Sequence, residues 1–170
     1  SGEWDWKKFQ PIMRLSGKTL GIVGFGRVGR EVAKRTEGFG INMVAYDPHL
    51  PSGAFEKSGV KRVDLETILK EADMITIHVA LTKETRHMIG SGELRKMKKT
   101  AILVNASRGA VIDENALYTA LKEGWIGAAG LDVLEREPIR KDNPLLELDN
   151  VLITPHMAWY SSASLTEIQT

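Results

Sequence analysis

The stretch Thr19-Leu-Gly-Ile-Val-Gly-Phe-Gly-Arg-Val-Gly29 constrains this chain more than any other. An apolar run, Leu20 to Val23, meets glycines at Gly24, Gly26 and Gly29, and charged residues that suit a helix follow. A buried strand that turns sharply into a helix needs that arrangement. The first glycine permits the tight turn, the second lets backbone approach a pyrophosphate, and the third lets helix pack on strand. The N–H groups of the helix's first turn then face an anionic ligand. Glycines also gather in turns for structural reasons alone. It is the strand before and the helix after that favour a dinucleotide-binding turn.

Beyond the glycines the chain alternates short apolar runs with helical patterns. Arg27 to Phe39 fits a helix whose apolar side is suggested by Val28, Val32 and Phe39, with Gly38 and Gly40 to stop it. Ile41 to Tyr46 reads as a strand closed by Asp47-Pro48. A helix is expected within Pro51 to Ser58, then a weak strand at Val60 to Val63. Asp64 can cap a helix from Leu65 to Glu71, and Met74 to Val79 is the next strand. Ser91 to Lys96 looks helical, and Ala101 to Val104 is a strand apolar on both faces. Asp113 can cap a helix carrying Ala116, Leu117, Ala120 and Leu121. Gly127 to Leu131 and Val151 to Ile153 are the last strands, and Ser164 to Glu167 reads as a capping box opening a final helix. Strands and helices in that alternation predict an α/β fold, a Rossmann-type doubly wound parallel sheet of six to seven strands with helices on both faces.

The 23 Lys and Arg against 22 Asp and Glu leave a formal charge of +1, and no basic run offers a nucleic-acid surface. There is no cysteine, so disulfide and thiolate chemistry are absent and a reducing compartment is compatible. No apolar segment reaches the ~20 residues that span a bilayer. The expectation is a cytoplasmic protein that acts neither on membranes nor on nucleic acid.

In a parallel α/β sheet ligands gather at the carboxyl ends of strands. Asp47, 18 residues beyond Gly29, stands where an acid meets the adenosine ribose, although Asp-Pro also starts ordinary turns. An acid there repels a 2′-phosphate, which favours NAD over NADP; His49 and Lys57 soften that only slightly. Arg108 follows the strand Ala101 to Val104 and could grip a carboxylate bidentately, or form a structural ion pair. Asp132, Glu135 and Glu137 follow Gly127 to Leu131, and His156 follows Val151 to Ile153. Arginine, carboxylate and imidazole at neighbouring strand ends offer a carboxylate binder, an acid/base, and a group to orient the ring. Four scattered histidines without a ligand spacing argue against a metal site.

Five motifs carry a specific resemblance. Gly24-Phe-Gly-Arg-Val-Gly29, Tyr46-Asp-Pro48, Val104-Asn-Ala-Ser-Arg-Gly109, Leu131-Asp-Val133 with Glu135-Arg-Glu-Pro138, and Thr154-Pro-His-Met-Ala-Trp-Tyr-Ser161 run in order across residues 17–165. Together they resemble the D-isomer-specific 2-hydroxyacid dehydrogenases. The ending is most similar to the branch that holds the C-terminal-binding proteins, with phosphoglycerate dehydrogenase more distant.

The resemblance implies an NAD-dependent dehydrogenase in which Arg108 binds the carboxylate of a 2-keto or 2-hydroxy acid. His156 is then the acid/base, and Glu137, not Glu135, pairs with it. Cofactor contacts would fall on Gly24, Gly26, Arg27, Val28, Gly29, Asp47, His78, Val79, Ala80, Ala106, Ser107, Arg108, Asp132, His156 and Ala158, with Asp132 near the nicotinamide amide. Residues 1–16 would be a lead-in from a substrate domain and 17–170 the NAD-binding domain. A homodimer through this domain is expected, with Trp4 and Trp6 at its interface. The other reading is an NAD-sensing scaffold of the C-terminal-binding-protein type.

Overall fold

The computed structural model describes residue 5 and residues 12–164. Seven parallel strands form one sheet: β1 (Thr19–Val23), β2 (Asn42–Tyr46), β3 (Lys61–Arg62), β4 (Met74–Ile77), β5 (Ile102–Asn105), β6 (Ala128–Leu131) and β7 (Val151–Ile153). They stand in the order β3-β2-β1-β4-β5-β6-β7. The chain builds outward from β1 to β3, then crosses back to lay β4 against β1. That reversal opens a crevice at the carboxyl ends of β1 and β4.

Alternation along the strands separates two cores. Leu20, Ile22 and Ala45 lie under α1 (Arg27–Thr36) and α2 (Ser52–Glu56), where Phe25 stacks on Phe55 at 5.0 Å. Val23, Val44, Ile75, Ile77 and Leu103 point the other way, into a larger core with α3 (Leu65–Glu71), α4 (Ser91–Leu94) and α5 (Glu114–Lys122). The two predicted caps are present. Asp64 accepts the Thr67 N–H at 2.7 Å, and Asp113 accepts the Ala116 N–H at 3.0 Å.

The structure corrects several details. The first helix ends at Thr36 and tightens into a 3-10 turn over Glu37–Phe39, which Gly40 closes at φ 64°. Its buried face is Gly29 and Ala33; Val28 and Phe39 are exposed. Small residues face the sheet because the helix lies too close for large ones, so the apolar stripe misled. Strand β4 stops at Ile77, and Val104 on β5 is 38% exposed rather than covered on both faces. Ser161, not Ser164, caps the last helix: its Oγ accepts the Ser164 N–H at 2.9 Å, and the Ser164 Oγ accepts the Ser161 N–H at 2.7 Å. Glu167, Trp4, Trp6 and most of the 1–16 lead-in lie outside the described residues.

At the opposite end of the sheet Asp73 joins β1 to β4. Its carboxylate accepts the Thr19 N–H at 2.9 Å and Lys98 Nζ at 3.0 Å. Burial pushes this carboxyl up, but the Thr19 N–H and the Lys98 and Lys18 ammonium groups outweigh it and leave it below its ordinary value. A depressed carboxyl stabilises the fold above its unfolded value and loses that contribution as pH falls through the folded one. Asp73→Ala is therefore expected to cost about 1 kcal/mol at pH 7. The difference should shrink below about pH 4. Urea unfolding of both proteins at pH 7 and pH 3 measures it.

Candidate active site

Strand register assembles the site. Tyr46, Val23, Ile77, Asn105, Leu131 and Ile153 are successive lateral partners across six strands. The residues that follow them, Asp47, Gly24, His78, Ala106, Asp132 and Thr154, consequently form one row along the carboxyl edge of the sheet.

The glycine turn occupies the crevice. Gly24 sits at φ 92°, and a Cβ there would lie 2.7 Å from the His78 carbonyl carbon. A Cβ on Gly29 would lie 2.3 Å from the Gly24 carbonyl oxygen, so α1 rests backbone-on-backbone against the turn. Among the described residues a Cβ on Gly26 would meet nothing within 4 Å beyond its chain neighbours, and the helix start has no side-chain cap and no acid in its first turn. The N–H groups of the helix's first turn thus face open space, which suits an anion such as a pyrophosphate. Asp47 links the turn to β2: its Oδ2 accepts the Phe25 N–H and its Oδ1 the His49 N–H, each at 3.0 Å. Asp47 therefore acts as a turn residue at the end of β2, beside the glycine turn. Arg62 is the neighbour that the spacing did not reveal; its guanidinium lies against Ser52 Oγ and the Asp47 carbonyl.

Val28, His78, Val79, Ala80, Ser107 and Arg108 line a cavity of about 620 Å³ in front of the turn. The ring of His78 meets Thr76 Oγ1 at 2.9 Å, and burial lowers its proton affinity, which keeps it neutral. The buried Asn105, which no sequence motif singles out by itself, organises the next loop. Its amide donates to the Arg108 carbonyl at 2.9 Å, while its oxygen accepts the Ser107 N–H at 3.0 Å and the Ser107 hydroxyl at 2.8 Å. An asparagine two residues before a serine is the local signal of such a turn. The exposed Arg108 side chain donates to the Ser107 carbonyl at 2.6 Å. Arg108 and His156 line separate cavities.

His156 and Glu137 do meet. The ring Nδ1 lies 2.7 Å from Glu137 Oε2, with both side chains about two-fifths exposed, at 43% and 37%. A carboxylate only accepts, so Nδ1 carries the proton and Nε2 is left for another partner. Glu137 is itself held by the Leu134 N–H at 3.0 Å. Burial raises this carboxyl, yet the His156 contact and the Leu134 N–H bring it below its ordinary value.

Asp132 anchors the segment that carries the imidazole. It accepts the Thr154 hydroxyl at 2.5 Å, the Met157 N–H at 2.9 Å and the Ala158 N–H at 2.8 Å. These bonds, with burial opposing them, lower its carboxyl too. His156, between those anchors, takes φ 51°, and its N–H donates to the Asp132 carbonyl at 2.9 Å.

Comparison with known proteins gives the geometry its context. Among the described residues no helix is long and apolar enough to cross a membrane. D-3-phosphoglycerate dehydrogenase of Methanocaldococcus jannaschii is 56% identical over 156 residues, which cover 91% of this chain and 29% of that protein. The crystal structure of a glyoxylate reductase from Paecilomyes thermophila matches with a TM-score of 0.85 at 39% identity, covering 92% of this chain and 47% of that one. An acyclic imino acid reductase in complex with NADPH and D-Arg matches with a TM-score of 0.81 at 33% identity, covering 91% and 48%. The chain thus spans about half or less of the length of each relative. Residues 1–158 match the family model described as D-isomer specific 2-hydroxyacid dehydrogenase, NAD binding domain. This chain belongs to that family and is its NAD(P)-binding domain.

Proposed function

We propose that this chain is the cofactor half of a two-domain dehydrogenase that interconverts a 2-keto acid and the corresponding D-2-hydroxy acid. The observation that carries the reading is the His156–Glu137 pair, 2.7 Å apart, at the end of the strand row that begins with the glycine turn. A bound nicotinamide cofactor supplies or accepts the hydride. His156, oriented by Glu137, gives a proton from Nε2 to the carbonyl oxygen in reduction and takes it back in oxidation. Arg108 swings from the Ser107 carbonyl to the substrate carboxylate and stabilises charge that develops on the carbonyl oxygen. The share of the relatives that this chain covers supports a substrate wall from residues outside it.

NAD is proposed over NADP because the Asp47 carboxylate would face a 2′-phosphate. Arg62, held against the Asp47 carbonyl, opposes this preference, and a solved relative is in complex with NADPH. In the intact protein, glyoxylate and a phosphorylated 2-keto acid are expected to drive NADH oxidation faster than NADPH oxidation. Asp47→Ser should narrow that preference by about tenfold, the equivalent of roughly 1.4 kcal/mol. A wild-type protein that binds neither cofactor in a fluorescence titration overturns the reading. Equal use of both cofactors overturns the role of Asp47.

A further inference from the structure

Glu135 takes no part in the chemistry above, yet it ties together three segments around the site. Its Oε1 accepts the Glu114 N–H at 2.9 Å, its own N–H donates to Glu114 Oε2 at 3.0 Å, and its Oε2 lies 3.2 Å from His87 Nε2. Glu114 in turn accepts from the Asn143 amide at 2.7 Å. One carboxylate thereby joins the start of α5, the turn that follows the cofactor wall, and the loop that bears Glu137.

What this clamp presses together is visible at Gly109. A Cβ there would fall 1.9 Å from the Leu134 carbonyl carbon and 2.5 Å from the Glu135 nitrogen. The backbone next to Arg108 therefore packs directly against the Leu134–Glu135 peptide, which leads to Glu137. The Leu134 N–H, on the adjoining peptide, donates to Glu137. The turn carrying His87 is tied in from the other side, its N–H donating to the Ala110 carbonyl at 2.8 Å.

We propose that Glu135 is a positioning residue for the hydride-transfer reaction: with Glu114 and His87 it locks the Leu134–Glu137 loop onto Gly109, and so sets Arg108 and the His156–Glu137 pair in one register. This rests on the functional reading above. Glu135 reaches neither substrate nor cofactor. It acts through the loop, and misplacement of reacting groups by about 1 Å costs on the order of 100-fold in rate.

The test compares Glu135→Ala with Glu135→Gln in the intact protein. The alanine variant is expected to lower kcat for glyoxylate reduction by about 10- to 100-fold. KM for glyoxylate should rise by a smaller factor and NADH affinity should stay as in wild type. The glutamine variant should run close to wild type, because its amide oxygen still accepts the Glu114 N–H and its NH₂ can donate to His87. Two-bond 1H–15N spectra at alkaline pH, where the rings are neutral, give a readout independent of activity. They report which nitrogen of His156 holds the proton: Nδ1 in wild type and Glu135→Gln, a mixture in Glu135→Ala. Should the alanine variant fail to fold, Glu135→Asp, one methylene too short to span both partners, carries the same comparison.

An alanine or aspartate variant with wild-type kcat, KM and His156 tautomer overturns the proposal, even if its melting temperature falls. If the wild-type protein reduces no 2-keto acid, the functional reading fails, and the tautomer comparison alone decides the role of Glu135.

Discussion

Replacing His156 by alanine is expected to lower kcat of the intact enzyme by about 10²- to 10⁴-fold, the range for removing a positioned general acid–base. The affinity for NADH should scarcely change. The ring nitrogen nearer the backbone is committed to Glu137 at 2.7 Å, so the only free proton-transfer site is Nε2. Among the described residues, the neighbouring carboxylates Asp132 and Glu137 cannot replace it. The Asp132 carboxylate is occupied by the Thr154 hydroxyl and by two backbone N–H groups. Glu137 is acceptor-only while ionised, and its lowered proton affinity keeps it ionised near neutral pH. The imidazole's removal also leaves the backbone anchors of the segment intact, so a folded protein with an intact cofactor cleft should remain. Stopped-flow single turnovers with NADH and glyoxylate, beside a fluorescence titration of NADH, separate the two effects. A His156→Ala protein that turns over at wild-type rate, or one that loses NADH affinity in proportion to kcat, contradicts the acid/base role.

Arg108 should behave differently. It lines the cavity in front of the glycine turn rather than the one beside His156, and its guanidinium rests on the Ser107 carbonyl. If it meets the substrate only when substrate arrives, Arg108→Ala must raise KM as well as lower kcat. His156→Ala should act on kcat alone.

Most of the strand row was readable in the chain because β1, β2, β6 and β7 are each followed directly by a glycine or polar residue, and a parallel sheet forces those ends to one edge. Seven strands and two Asp caps follow from local rules alone: apolar runs, glycine turns, and side-chain oxygens before helices. The failures have a common cause as well. Val28 and Phe39 lie on helical spacing, and periodicity cannot tell a face packed through small residues from one packed through large ones; the structure buries Gly29 and Ala33 instead. Ser161 and Ser164 are both plausible caps three residues apart, and only the hydrogen bonds decide between them.

Contacts between distant segments were beyond local reasoning. The Glu114–Glu135 clamp joins residues 21 apart, and Arg62 reaches the Asp47 carbonyl across 15. In both cases only the fold brings the charged residue's partner within reach. The proximity of Glu137 to His156 was expected only from the resemblance. No spacing rule predicts a contact between residues 19 apart on different strand ends.

The glycine turn offers a second large effect and the means to divide it into fold and ligand. Gly29→Ala places a methyl group 2.3 Å from the Gly24 carbonyl oxygen and 3.2 Å from the Ile22 side chain. The first of these is backbone and cannot rotate away, so α1 must lift off β1. Overpacking of this kind costs about 1–3 kcal/mol. The movement also withdraws the helix start from the crevice, and NADH affinity is expected to fall by roughly 10- to 100-fold. Gly26→Ala is the counterpart. Among the described residues its Cβ would meet nothing within 4 Å beyond its chain neighbours, and its φ of −68° lies outside the left-handed region. The fold should tolerate that methyl group, with a melting temperature near wild type. Any affinity lost at Gly26 then measures how closely the cofactor itself approaches the backbone. Loss of both stability and NADH binding at Gly29, with loss of binding alone at Gly26, is the pattern expected if the turn holds the pyrophosphate. Undiminished NADH affinity in Gly26→Ala would place the cofactor elsewhere, however similar the motif.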